Sequence, residues 1–362
     1  MIKRIQIKNF KCYGDPGADF PLKRINFIFG DNSAGKSSFL QLLRMVCNGE
    51  TDVMRNHFKS FVFLGDAPHE NPESPEIKLR ITAATDSNGR APIYEFSMKD
   101  VVRSDVTHVV FESPLQYLGF VKMIQGEPRI SVLRETDDGK TLGIHKSLKD
   151  PFTNGVPRMI HQEAARPIRT RIDETKKSSL DEALLLGTDA IKFVNAFFME
   201  LNVPYEALDI SRLKDKSFGL TVTRDNTGAG IDGLYETGLG LCKWRDGQKN
   251  LFALEEPESH VNERQISNLM NFIFKTANEN RERQLIVESH SELMALKLKN
   301  FLRMGIITPD DLSVLYVTKT EDGSIVDEIK TDVNGNYRTR WPGGFFTART
   351  RVIDEFFKVK EH

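Results

Sequence analysis

The sequence predicts an α/β fold, a core of buried strands and helices that carries an antiparallel β layer and a short helical insertion. Three observations predict it. An apolar run at 25–29 passes into Gly30-Asp31-Asn32-Ser33-Ala34-Gly35-Lys36-Ser37-Ser38 and then into the amphipathic stretch 39–46, which reads as strand, glycine turn and helix. Two later runs, 251–254 and 284–287, are apolar without alternation, as strands buried on both faces are. Between 77 and 133 lie several short runs separated by turn signals such as Asp86-Ser87-Asn88-Gly89 and Asp137-Asp138-Gly139-Lys140, which suit hairpins.

In chain order, Ile2, Ile5, Ile7 and Phe10 mark a first strand, followed by the glycine turn and its helix to about Val46. Residues 48–71 are mixed, with Phe58, Phe61, Val62, Phe63 and Leu64 expected to be packed. Strands are expected at 77–81, 93–98, 106–111 and 130–133, and loop through most of 140–175. Leu184, Leu185, Ile191, Val194, Phe197, Phe198 and Leu201 space a helix over 180–201 that Pro204 terminates. Two strands near 207–213 and 218–223 follow. After them come a strand at 251–254, a helix at 263–279, a strand at 284–287, a helix at 291–304 and a strand at 312–317. The organisation expected is a discontinuous core of 1–50 and 230–320, an insertion of β layer and helix at 51–229, and a tail at 321–362.

Composition sets bounds. Fifty Lys and Arg balance 51 Asp and Glu, so charge alone neither demands nor excludes nucleic acid. No stretch approaches the roughly 20 apolar residues of a membrane-spanning helix. Met1 to Ile7 alternates like a strand and lacks the apolar centre of a signal peptide. Cys12, Cys47 and Cys242 are too far apart for a zinc knuckle or a disulfide framework, so a reducing, cytoplasmic setting is expected.

The glycine turn has the G-x4-G-K-S spacing of a phosphate-binding loop. Gly30 and Gly35 let the backbone curl so that successive N–H groups face an anion, and the helix that follows adds its positive end. Lys36 is the expected charge for the β- and γ-phosphates, and Ser37 a Mg²⁺ ligand. Glu255 and Glu256 end a buried strand, a costly place for carboxylates without a task. Beside a bound triphosphate Glu255 would hold Mg²⁺ and Glu256 would orient or deprotonate the attacking water. His290, after a third strand, is a candidate γ-phosphate contact. No metal cluster is legible from spacing.

A phosphate loop near the start, Glu255-Glu256-Pro257-Glu258 more than 200 residues later and Glu288-Ser289-His290-Ser291 after it resemble the ABC-type ATPase heads of RecF, the SMC proteins and the overcoming-lysogenisation-defect (OLD) ATPases. Trp341-Pro342-Gly343-Gly344-Phe345-Phe346 is similar to the tail of a bacterial subfamily of ATP-binding proteins. The resemblance implies heads that pair on ATP, as a homodimer or a higher homo-oligomer. It also implies a signature segment of one subunit on the nucleotide of the other. Glu236 to Lys243 is the candidate segment, read as a loop in which Gly238 and Gly240 approach a phosphate. Cys242-Lys243 stands where the family has Ser-Gln, so slow hydrolysis is expected.

No Toprim nuclease pattern follows: Val287-Glu288-Ser289 lacks its glycine, and no Asp-x-Asp occurs after it. The expectation is an ATPase that controls a co-encoded nuclease or toxin in anti-phage defence. The alternatives are a RecF-like ATPase acting directly on DNA and an ATP-binding scaffold with little turnover. Three basic groups would serve DNA: Lys3, Arg4, Lys8, Lys11, Lys23 and Arg24; Arg166, Arg169, Arg171, Lys176 and Lys177; Arg338, Arg340, Arg349 and Arg351.

Overall fold

The computed structural model describes residues 1–8, 10–14, 17–48, 175–246, 251–259 and 261–346, and the strands between 76 and 162; for those strands and for 45–48 and 175–187 it describes the backbone. The expectations for 48–71 fall almost wholly outside these residues. Two compact units divide the chain: Met1–Lys23, Gly30–Arg158 and Leu315–Glu328 form one, and Arg24–Phe29, Met159–Val314 and Ile329–His362 the other. The chain crosses between them inside two strands, β3 (Ile25–Gly30) and β16 (Leu312–Thr320). This partition differs from the expected one because strand pairing, not sequence distance, decides it.

In the first unit, β1 (Ile2–Lys8) pairs with β2 (Ala18–Pro21) on one side and β4 (Glu76–Ala83) on the other. The sheet continues through β5 (Ile93–Lys99), β6 (Val109–Ser113), β7 (Tyr117–Ile124), β8 (Glu127–Glu135) and β9 (Thr141–Ser147), eight strands with antiparallel neighbours throughout. The expected β layer is therefore present and longer than its sequence signals. β7 and β9 each hold an interior glycine and lysine, Gly119 and Lys122, Gly143 and Lys146, which blur a strand pattern. Ile5 and Ile7 are buried and Gln6 and Lys8 half-buried, the period-2 pattern of a half-buried strand, which breaks at Lys3 and Arg4, both exposed, where the register with β4 shifts. Helix α1 (Lys36–Asn48) belongs to this unit, its Phe39 stacked on Phe20 at 4.1 Å. β17 (Gly323–Glu328) returns antiparallel along β16.

In the second unit, β10 (Met159–Gln162), β14 (Leu251–Glu255), β15 (Gln284–Glu288) and β3 run parallel in that order, with β16 next to β3. β10 lies where loop was expected; four residues are too few for a legible period. Every residue of β14 and β15 is buried, as their unbroken apolar runs require. Helices α2 (Thr175–Glu200), α3 (Ala229–Asp246), α4 (Glu263–Glu279) and α5 (Glu292–Arg303) complete the unit. α4 buries Ile266, Leu269, Met270, Ile273, Phe274 and Ala277, one helical stripe, and starts at a reciprocal cap between Asn262 and Gln265. Phe274 lies 6.0 Å from Phe27 of β3 and 4.4 Å from Phe301 of α5. Buried Arg24 ties the entry of β3 to Asp311 at 3.2 Å, the Ala277 carbonyl at 2.9 Å and Asn278 at 2.8 Å. A small antiparallel sheet, β11 (Tyr205–Ala207), β12 (Arg212–Asp215) and β13 (Thr221–Thr223), stands where two longer strands were expected.

The tail is also built into this unit. The Tyr337 hydroxyl donates to the Ala295 carbonyl of α5 at 2.5 Å. Trp341 and Phe345 pack on Phe29, with ring centroids 5.3 and 5.4 Å away. Among the described residues no helix is long and apolar enough to cross a membrane.

Candidate functional site

The glycine turn between β3 and α1 is walled so closely that its two glycines admit no other side chain. A Cβ on Gly30, at φ 150°, would stand 2.2 Å from the Val317 carbonyl oxygen, and one on Gly35, at φ 107°, 2.2 Å from Cys12 Sγ. Ser33 is left-handed too, at φ 61°. Such alternation turns successive N–H groups to one side, the geometry of an anion nest. The turn is held from outside. The Tyr13 hydroxyl donates to the Gly35 carbonyl at 2.7 Å, the Cys12 thiol to the Ala34 carbonyl at 3.6 Å, and the Tyr316 hydroxyl to Asp31 at 3.0 Å. Burial, then the Asp31 contact, pushes the Tyr316 hydroxyl up to about 12, so it stays a donor at neutral pH. Asp31, Asn32 and Ser33 are exposed, Ala34 is buried, and Gly35, Ser37 and Ser38 are half-buried. Lys36 is buried, and its ammonium donates to the Gly30 and Asp31 carbonyls at 3.2 and 2.9 Å. A buried cation over small-residue walls and inward amides fits a polyphosphate.

The acidic residues form in the second unit by register. Parallel pairing sets Leu254 against Val287 and Glu255 against Glu288, and the Glu256 N–H donates to the Glu288 carbonyl at 2.9 Å. Glu255 is buried, the position expected of a group that meets a metal ion rather than solvent. Glu256 leaves the strand with φ 44°, left-handed backbone that costs a non-glycine residue about 1–3 kcal/mol. Its carboxylate accepts from the Ser259 hydroxyl at 2.9 Å and lies 3.3 Å from His290 Nε2. Glu256 and His290, 34 residues apart in sequence, thus face each other, each about one third exposed.

Glu258, part of the recognised box but given no task by it, is drawn in as well. It accepts from the Ser289 hydroxyl at 2.6 Å and the His290 N–H at 2.8 Å. Burial pushes its carboxyl above the usual carboxylate range, against the opposing pull of those two hydrogen bonds. Single donor atoms of Glu256, Glu288 and His290 lie within 4.8 Å of one another, a metal-capable grouping. The sequence concealed it because the register of two strands assembles it, not a local spacing.

Gly238 and Gly240 are corrected by the fold. They lie buried inside α3, not in a loop, and a Cβ on Gly238 would meet the Phe197 ring at 3.0 Å. Their amides lie within the helix, and Gly238 serves close packing against α2. Cys242 is buried in the same helix, hydrogen-bonded to Asp246 at 3.5 Å, and burial pushes its thiol up to about 12. The exposed start of α3 is upstream, where Gly228 has nothing within 4 Å of its Cβ position. The basic groups are also largely committed. Arg4 forks onto Asp19, Arg24 is buried, Lys11 donates to Gln41 at 2.7 Å, and Arg338 pairs with Asp332 at 2.6 Å. Arg166, Arg169, Arg171, Arg349 and Arg351 lie outside the described residues.

Comparison with known proteins agrees with this geometry. The family described as the AAA ATPase domain matches residues 1–202. The OLD nuclease of Thermus scotoductus is 24% identical over 388 residues, covering 98% of this chain and 70% of that protein. The SMC head domain from Thermotoga maritima superposes with a TM-score of 0.51 at 13% identity, covering 91% of this chain and 99% of that one. The SMC head domain of Pyrococcus yayanosii, with its coiled coil and joint, gives 0.53 at 9% identity, covering 91% and 97%. An SMC head bound to the C-terminal winged-helix domain of ScpA gives 0.53 at 14%, covering 91% and 97%. The fold is that of the ABC-type ATPase heads.

Proposed function

Because this chain belongs to the AAA ATPase domain family, we propose that it binds ATP and hydrolyses it slowly, and that its nucleotide state controls a separately encoded effector, a nuclease or toxin, in anti-phage defence. The observation that carries the ATPase reading is the Glu256–His290 pair, 3.3 Å apart at the end of buried parallel strands. Gly30 to Ser38 bind the triphosphate, and Lys36 exchanges its two loop carbonyls for phosphate oxygens, which are stronger partners for an ammonium. Ser37 and Glu255 are the residues that would hold Mg²⁺, which supplies charge neutralisation to the phosphates when bound.

Glu256 takes the proton of the attacking water. Its left-handed backbone, the Ser259 hydroxyl and His290 fix the direction of the carboxylate, so that little orientation is left to find in the transition state. His290, beside Glu256, contacts the γ-phosphate as a donor. A second subunit closes the nucleotide with the start of α3, around exposed Gly228, where a helix N-terminus offers its first amides to an anion. This assigns to the start of α3 the role expected of Gly238 and Gly240, while Cys242 further along the helix remains the reason to expect slow turnover.

One observation supports a separate effector over direct action on DNA. Arg4, Arg24 and Arg338 are ion-paired with Asp19, Asp311 and Asp332, which offsets the positive charge these three would offer to DNA phosphate. The test is Glu256→Gln. ATP binding is expected to stay within about threefold of wild type while turnover falls roughly 100-fold or more, and an ATP-dependent dimer should accumulate on a sizing column. Wild-type turnover by Glu256→Gln would overturn the assignment. Pull-down of this variant with the products of its neighbouring genes tests the effector: a nuclease or toxin retained with ATP supports it, and DNA alone moves the reading to a RecF-like ATPase.

A further inference from the structure

We propose that Glu258 is a positioning residue of this site, the strut that sets where His290 stands relative to Glu256; the inference rests on the ATPase reading above. Glu258 lies two residues past Glu256, in the turn closed by the Ser259 N–H on the Glu256 carbonyl at 2.9 Å. From there a single carboxylate oxygen reaches the opposite turn and takes both the Ser289 hydroxyl at 2.6 Å and the His290 N–H at 2.8 Å. The Ser289 hydroxyl oxygen in turn accepts from the Ser291 N–H at 3.0 Å, and the Ser291 hydroxyl caps α5 by accepting from the Met294 N–H at 3.3 Å. One chain of hydrogen bonds therefore runs from the turn of Glu256, past His290, into the first turn of α5. The second carboxylate oxygen of Glu258 is buried and has no hydrogen-bond partner among the described residues. The strut works through the one oxygen that accepts both donors.

This predicts a division of effects. Loss of the strut frees the His290 turn, and a displacement of about 1 Å at a catalytic contact costs on the order of 100-fold in rate. Nucleotide affinity, set by the phosphate loop, should barely change. The experiment measures kcat and equilibrium ATP binding for wild type, Glu258→Ala, Glu258→Gln, His290→Ala and Glu258→Ala/His290→Ala. Expected are a kcat roughly 100-fold down in Glu258→Ala with unchanged ATP affinity, and recovery of most of it in Glu258→Gln, whose amide oxygen accepts the same two donors. The double variant should be no worse than His290→Ala, the coupling of two residues that act as one. If Glu258→Ala does not fold, Glu258→Asp, one methylene shorter, takes its place with the same expectation. An unchanged kcat in the shortened variants, or losses that add in the double variant, would overturn the strut. If instead wild type shows no turnover, or Glu256→Gln matches it, the ATPase reading itself has failed.

Discussion

At Glu256 the backbone and the carboxylate make opposite demands. The left-handed conformation, φ 44°, suits asparagine or glycine, yet proton abstraction needs the longer acid. Glu256→Asn is therefore expected to abolish turnover while raising stability by up to about 1 kcal/mol, read as a higher urea midpoint with unchanged slope. A loss of stability would show that the Ser259 and His290 contacts outweigh the strain. At Gly35 the balance lies entirely with sterics. Gly35→Ala drives a methyl into Cys12 Sγ, 2.2 Å away, at a φ of 107°. ATP affinity, followed by calorimetry, should fall more than tenfold because the amides of the nest turn away.

The elements show which signals reach through sequence. α4, with its cap and single apolar stripe, and β14 and β15, with unbroken apolar runs, were legible because one local pattern determines each. α3 was not, because its glycines, Gly238 and Gly240, read as a phosphate-approaching segment until the Phe197 ring packed on Gly238 is seen. The phosphate loop and Glu255-Glu256 were legible for the same local reason. The Glu258 bridge and the grouping with Glu288 were not, since strand register brings together residues about 30 apart. Element junctions yield a prediction too. Arg24 anchors β3 through Asp311, and Arg24→Met should cost about 3–5 kcal/mol, as breaking a buried pair does. Burial alone would raise the Asp311 carboxyl, but Arg24, Arg281 and the Thr308 hydroxyl hold it below its ordinary 3.8. The unfolded chain then binds that proton more tightly than the folded one. The contribution is complete above pH 3.8 and is lost as pH falls through the lower folded value. Urea unfolding of wild type should weaken across that window, and Arg24→Met should weaken less.

For the whole molecule, the proposed function makes pairing of two chains the output of ATP binding, and slow turnover the timer on that paired state. Association should then depend on ATP, and a Lys36→Ala chain, deprived of its phosphate contact, should elute as one species with or without nucleotide on a sizing column. The packing of the tail against β3 carries a different consequence. Trp341 stands edge-on to Phe29, whose peptide bond leads directly into Gly30, while the chain's other indole, Trp244, stacks on Phe252 in β14. The protein therefore carries its own optical probe one residue from the loop, and the emission of Trp341 in a Trp244→Phe background would follow occupancy in real time without a label.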